Sequence, residues 1–329
     1  MKKNISTLTA ISFAAVLALA ACGGGGGGGD SSGSSSASSP TGASAPSAVT
    51  NLTTPQYATG SFQLAAFNLL NQQRQQCGFS AVADNASLDT AAQAHAQYQA
   101  TNNVFSDTEI ASNAGFTGVT YDDRAVAAGY PRNLSASGVS GGYYTTATLT
   151  PSQYGQQLVY DWLSGVYHIA IGVWPITAVG IGEVSTTFNG FPAIWSSLNM
   201  GNLQGKTSGT PLTFPCQGTT GVAYSAGGES PTPPNTSGNW GTPVAVVGNL
   251  ADTIVLQSGT MTDTSGHVIV LQLLDSANDP NKILPAFEGV AYPSAPLTPN
   301  TVYAVSVSGT VNGTAFSRNF TFTTGNIVG

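Results

Sequence analysis

Charge is what this 329-residue chain has least of: Asp, Glu, Lys and Arg together make up 7 %, against about 25 % in an ordinary soluble domain. Lys and Arg number 8, Asp and Glu 15, and the basic residues form no cluster. That argues against a nucleic-acid partner, whose affinity rests on neutralised phosphates. Histidine and cysteine each occur three times. There is no His-Glu-x-x-His, no Cys-x-x-Cys and no P-loop, so the common zinc, redox and nucleotide chemistries leave no local signature. No apolar run reaches the length of a bilayer span.

The N-terminus is informative instead. Lys2 and Lys3 precede a short apolar stretch, Ala10–Ala21, which reads as an export signal over residues 1–21. Its end, Leu19-Ala20-Ala21-Cys22, resembles a bacterial lipobox. That resemblance implies a chain lipidated on Cys22 and held to a bacterial membrane, the outer rather than the inner one because Gly23 follows. Residues 22–58, mostly Gly, Ser, Ala and Pro, read as a flexible tether. Cys77 and Cys216 remain, and in an exported protein such a pair predicts a disulfide.

The fold class expected is α+β, in two parts. Residues 59–217 read as one domain, with helices over 59–76, 87–102 and 151–164 and two strands joined by a turn at Asn189-Gly190. Residues 218–241, rich in Pro, Gly and Ser, read as a linker. Residues 242–329 alternate apolar and polar residues between turn signals, with Asn312-Gly313 as a second hairpin turn. "LTPNTVY" (297–303) is similar to the tyrosine corner of immunoglobulin and fibronectin type III domains, so this part is expected to be an all-β sandwich.

Several blocks in the first domain recur in a fixed order. They are Asn71…Arg74…Gly78, "AAQAHA" (91–96), "NVFS" (103–106), "GFTGVTYDDRAVAAGY" (115–130), "WLSGVYH" (162–168) and "VGIGEV" (179–184). Together they resemble the CAP superfamily, the cysteine-rich secretory, antigen 5 and pathogenesis-related group, in a bacterial form. The resemblance implies an α-β-α sandwich with a central cleft holding two histidines and one or two glutamates. The second histidine matches His168. Asp107 stands where the first is expected, and no Asp or Glu lies between Arg124 and Tyr160. The cleft therefore reads as degenerate, with His168, Asp107, Glu109 and Tyr167 as its candidate binding residues.

The function this implies is binding or interaction rather than catalysis, with an unidentified protein, glycan or lipid as partner and no cofactor. One alternative is a hydrolase, or an activity dependent on a divalent metal, using His168 with Asp107; neutral imidazole and carboxylate both ligate such cations. Another is a site for lipid or a small apolar ligand. Gly138-x-Ser140-x-Gly142 matches the serine hydrolase elbow, but its flanks supply neither the strand nor the helix that elbow needs. Residues 131–150 read as an exposed loop. His95 reads as a helix-packing residue and His267 as an exposed turn residue.

Overall fold

A computed structural model describes residues 8–9, 51–52, 54–204 and 211–329. Cys22 and nearly all of the export signal and tether lie outside the described residues. The last part of the expected tether is fixed. Leu52 donates its N–H to the Asp84 carbonyl, Gln56 donates its N–H to the Asp84 carboxylate, and the Tyr57 hydroxyl donates to Asp89 at 2.7 Å. The physical reason is composition, since 51–58 brings Leu52 and Tyr57, which bury apolar surface that Gly and Ser do not have.

Helix α1 (Phe62–Gln76) starts at Ser61, whose hydroxyl accepts from the Leu64 N–H, and α2 (Ala86–Asn102) starts at the Asn85 cap. Asn103 ends α2 at a left-handed φ of 52°. Helix α3 (Tyr121–Ala127), which the sequence pattern did not expose, opens on a reciprocal cap between Thr120 and Asp123. Thr150 and Gln153 make the same arrangement at α4 (Pro151–Ser164), and a single turn, α5 (Ala170–Val173), follows.

Strands β1 (Ala83–Asp84), β2 (Ala136–Tyr144), β3 (Ile176–Phe188) and β4 (Phe191–Leu203) form a sheet in the order β1-β3-β4-β2. Asn189 and Gly190 both adopt positive φ at the β3–β4 turn. Helices α2 and α3 cover one face, α1 and α4 the other. The motif "VGIGEV" has a packing reason. A side chain at Gly180 or Gly182 would collide with the α2 backbone at Leu88 or Ala92, while Val179 and Ile181 point into the opposite core. The middle of residues 131–150 is strand rather than exposed loop: Val139 and Ser140 in β2 are buried. Gly and Ser there fill a tight face of the sheet, and that close packing replaces the solvation their polarity implied.

The β-rich remainder has two larger sheets. One has the order β13-β14-β10-β5, from β13 (Gln272–Asp275), β14 (Glu288–Tyr292), β10 (Val244–Val247) and β5 (Leu212–Phe214). The other has the order β12-β11-β15-β16-β6, from β12 (Val268–Val270), β11 (Ile254–Asp263), β15 (Val302–Val311), β16 (Thr314–Thr324) and β6 (Thr219–Val222). The expected boundary at 217 and the expected linker are not seen as such. β5 and β6 both join the C-terminal sheets, and three short strands, β7 (Ala226–Gly227), β8 (Glu229–Ser230) and β9 (Asn239–Trp240), occupy the segment between. Trp240 is buried and its indole N–H donates to the Ser164 carbonyl at the end of α4. Local composition read this segment as linker, but its few large side chains anchor it, and one apolar cluster runs through both parts of the chain. The Cys77–Cys216 disulfide ties α1 to the junction.

Candidate functional site

The end of α2, the loop after it, α3 and β2 enclose a buried polar network. His95, on α2, places Nδ1 2.8 Å from Glu109 Oε1. Its Nε2 lies 2.8 Å from the Ser106 carbonyl oxygen and 3.0 Å from Ser140 Oγ. The Tyr121 hydroxyl donates to Asp107 Oδ1 at 2.7 Å and stands 2.6 Å from Ser140 Oγ. The Ser140 N–H donates to the same Asp107 oxygen. Glu109 also accepts the Thr117 N–H at 2.6 Å. Arg124 donates to the Asp107 and Gly118 carbonyls, and its Nε is 3.8 Å from Glu109.

Ser140, His95 and Glu109 thus stand in the order of a hydrolase triad, a grouping that the sequence reading did not make. Three observations argue against a nucleophile. A carbonyl oxygen only accepts, so the Ser106 contact calls for a hydrogen on Nε2, and a nitrogen that donates there cannot take a proton from Ser140. The Ser140 N–H, a natural oxyanion donor, is already bonded to Asp107. Ser140 itself is 3 % exposed, which leaves no approach for a substrate carbonyl. The Gly-x-Ser-x-Gly pattern has a different origin. Gly138 and Gly142 flank Ser140 on one face of β2, and side chains there would collide with the rings of Tyr121 and Phe105. Period-two smallness was the legible signal, while the partners come from elsewhere in the chain.

Burial dominates the electrostatics. It raises Asp107 to about 7 against the hydrogen bonds from Tyr121 and Ser140. It lowers His95, with Glu109 acting in the opposite sense. Burial would also raise Glu109, but the bonds from His95 and Thr117 and the nearby Arg124 outweigh it and hold the carboxyl below its usual range. Asp107 Oδ2 has no hydrogen-bond partner.

His168 belongs to a second network. It is 1 % exposed at the turn between α4 and α5. The backbone N–H groups of Val166, Tyr167 and His168 all donate to the Glu229 carboxylate, each at 2.8 Å. The imidazole Nδ1 is 3.4 Å from Glu229 Oε1, yet neither ring nitrogen makes a hydrogen bond. Burial drops His168 to about 3 and lifts Glu229 to about 7. The Tyr167 hydroxyl donates to Asp279 at 2.9 Å. The four candidate residues therefore fall into two groups: Asp107 and Glu109 around His95, and Tyr167 and His168 against the C-terminal part. The pairing of Asp107 with His168 is not assembled, because the two share no partner. Among the described residues no cluster of three or more His, Cys, Asp or Glu side chains suits a metal ion. His267 is exposed beside Asp263.

Residues 67–197 match the family model described as CAP, the cysteine-rich secretory protein family. Over that segment the chain is similar to the CAP family. No curated protein and no solved structure matches the chain.

Proposed function

We propose that this protein is an exported, lipid-anchored binding module whose CAP cleft is closed by its own hydrogen bonds. The observation that carries this reading is the network around Ser140: Asp107, Tyr121, His95 and Glu109 direct their polar atoms at one another and at backbone. His168 is likewise covered by Glu229. A disulfide between Cys77 and Cys216 is consistent with an oxidising compartment outside the cytoplasm. We read the C-terminal part as an immunoglobulin-like sandwich. Support comes from the Tyr303 hydroxyl, which accepts the Thr298 N–H at 2.9 Å as a tyrosine corner does.

A fluorophosphonate probe and a zinc titration test the closed cleft: neither reagent is expected to react or bind. Labelling of the wild type that disappears in Ser140→Ala would overturn the reading in favour of a hydrolase. Zinc binding lost in His168→Ala would favour the metal alternative. Radiolabelled palmitate incorporated by the wild type and not by Cys22→Ser tests the anchor. The lipid-site alternative has less support. The groove between α1 and α4 holds about 280 Å³, and its walls include Ser61, Asn68, Gln72 and Gln156 beside Leu64 and Leu69.

A further inference from the structure

The outward face of the five-stranded sheet carries no charge. Side chains alternate along β11, β12, β15 and β16, and the outward set is Thr, Ser, Ala, Val, Gln and Asn. The strand register aligns them in rows across the sheet. Val268, Thr262, Ala304 and Thr321 form one row; Val270, Thr260, Ser306 and Asn319 form the next. Ser258 and Ser308 hydrogen-bond side by side at 2.7 Å in a third. Four of the chain's exposed large apolar residues, Val255, Val268, Val270 and Val302, lie on this face, and Val270 is 72 % exposed. No Asp, Glu, Lys, Arg or aromatic side chain points outward from these four strands. The inward set holds the core, including Met261, Tyr303, Val305 and Phe320.

A face without charge discriminates among partners. A charged peptide or nucleic acid finds no opposite charge on it. A sugar ring finds no aromatic side chain to stack on. The surface it matches is another neutral sheet of small hydroxyl and aliphatic side chains, and a second copy of this chain supplies one. The chain's net charge of −7 makes two copies repel wherever charged faces meet, and this face is where they meet at least cost. The area is sufficient. At a strand spacing near 4.8 Å and a rise near 3.3 Å, the four strands present about 540 Å². Two such faces bury about 1,080 Å², just above the roughly 1,000 Å² that a biological interface should clear. β12 lies at the edge of the sheet, and Val268-Ile269-Val270 carries none of the Lys or Pro residues that natural edge strands use against association.

We infer that this sheet face is a self-association surface, on which two copies stack through β11, β12, β15 and β16. Sedimentation of the full chain carrying Cys22→Ser, in one fixed detergent, tests it without acyl chains. The expected result is a dimer at micromolar concentration, weakened at least tenfold by Ser306→Arg with no change in melting temperature. An otherwise wild-type chain with Ser306→Cys should cross-link to a dimer under oxidation, which keeps the test open if the arginine variant fails to fold. A wild type that stays monomeric, a Ser306→Arg chain that associates unchanged, or a Ser306→Cys chain that does not cross-link overturns the inference. So does a monomer that binds an insoluble polysaccharide and loses that binding in Ser306→Arg.

Discussion

Glu229 Oε1 accepts the backbone N–H of His168 at 2.8 Å and lies 3.4 Å from the Nδ1 of the same residue. One carboxylate from the C-terminal part thus holds the turn that carries His168. Replacing Glu229 with Ala leaves the Val166, Tyr167 and His168 N–H groups buried without an acceptor. The expected cost is about 3 kcal/mol or more, read as a lower urea midpoint. Glu229→Gln keeps one oxygen and should cost less. An unchanged midpoint in Glu229→Ala would show that the contact does not hold the two parts together.

The buried carboxyls set a pH dependence. Burial raises Glu288, whose carboxylate accepts the Trp174 indole N–H at 2.6 Å, to about 7. The folded state therefore keeps a proton that the unfolded state releases near its ordinary pKa of about 4.5. This contribution to stability is complete below about pH 4.5 and is lost as pH rises through 7. Glu288→Gln is expected to gain about 1–3 kcal/mol over the wild type at pH 8, with the gain vanishing near pH 4.5. Parallel urea titrations at the two pH values decide it, and equal effects at both would refute the assignment.

His168 contributes the opposite limb. Its folded pKa lies near 3 because burial penalises the cation. Its contribution is complete above about pH 6.5 and is lost as pH falls toward 3. A His168→Leu chain should unfold at a lower pH than the wild type in an acid titration followed by circular dichroism. An acid midpoint that moves upward would contradict this.

Gly182 tests the contact between sheet and helix. A methyl group there meets the α2 backbone at Ala92 and Gln93, which has no rotamer by which to yield. Gly182→Ala should lower stability by about 3 kcal/mol or more. Gly190→Ala, in the β3–β4 turn with nothing nearby, should cost about 1 kcal/mol for its positive φ alone. Thermal denaturation of both variants ranks them, and an equal loss would argue against the close approach.

Reduction of Cys77–Cys216 opens a loop of 139 residues. The chain-entropy model sets the loss at about 5 kcal/mol at most. The reduced protein should show a clearly lower urea midpoint, and Cys77→Ala/Cys216→Ala should reproduce it without reductant.

Much of the fold is legible locally. The helices expected over 87–102 and 151–164, the Asn-Gly turns and the alternation along β15 follow from neighbouring residues, and each is present. The segment 218–241 was not legible, because its Pro, Gly and Ser content conceals a few anchors, such as Glu229 and Trp240, whose partners lie about 60 to 76 residues away. Strand β2 was not legible either, since glycines that read as loop are there to admit the rings of Phe105 and Tyr121.

The sequence by itself determined the likeness to the CAP family, the pairing of the two cysteines and the lack of a basic cluster in the chain, because order of motifs, cysteine number and charge need no coordinates. It also placed His168, Asp107 and Glu109 on the chain. Only the tertiary structure decided their company. Strand register brought Ser140 to His95, and the C-terminal part brought Glu229 to His168. Hydrogen bonds of about 3 Å depend on how distant segments pack, and no local pattern of residues encodes that distance.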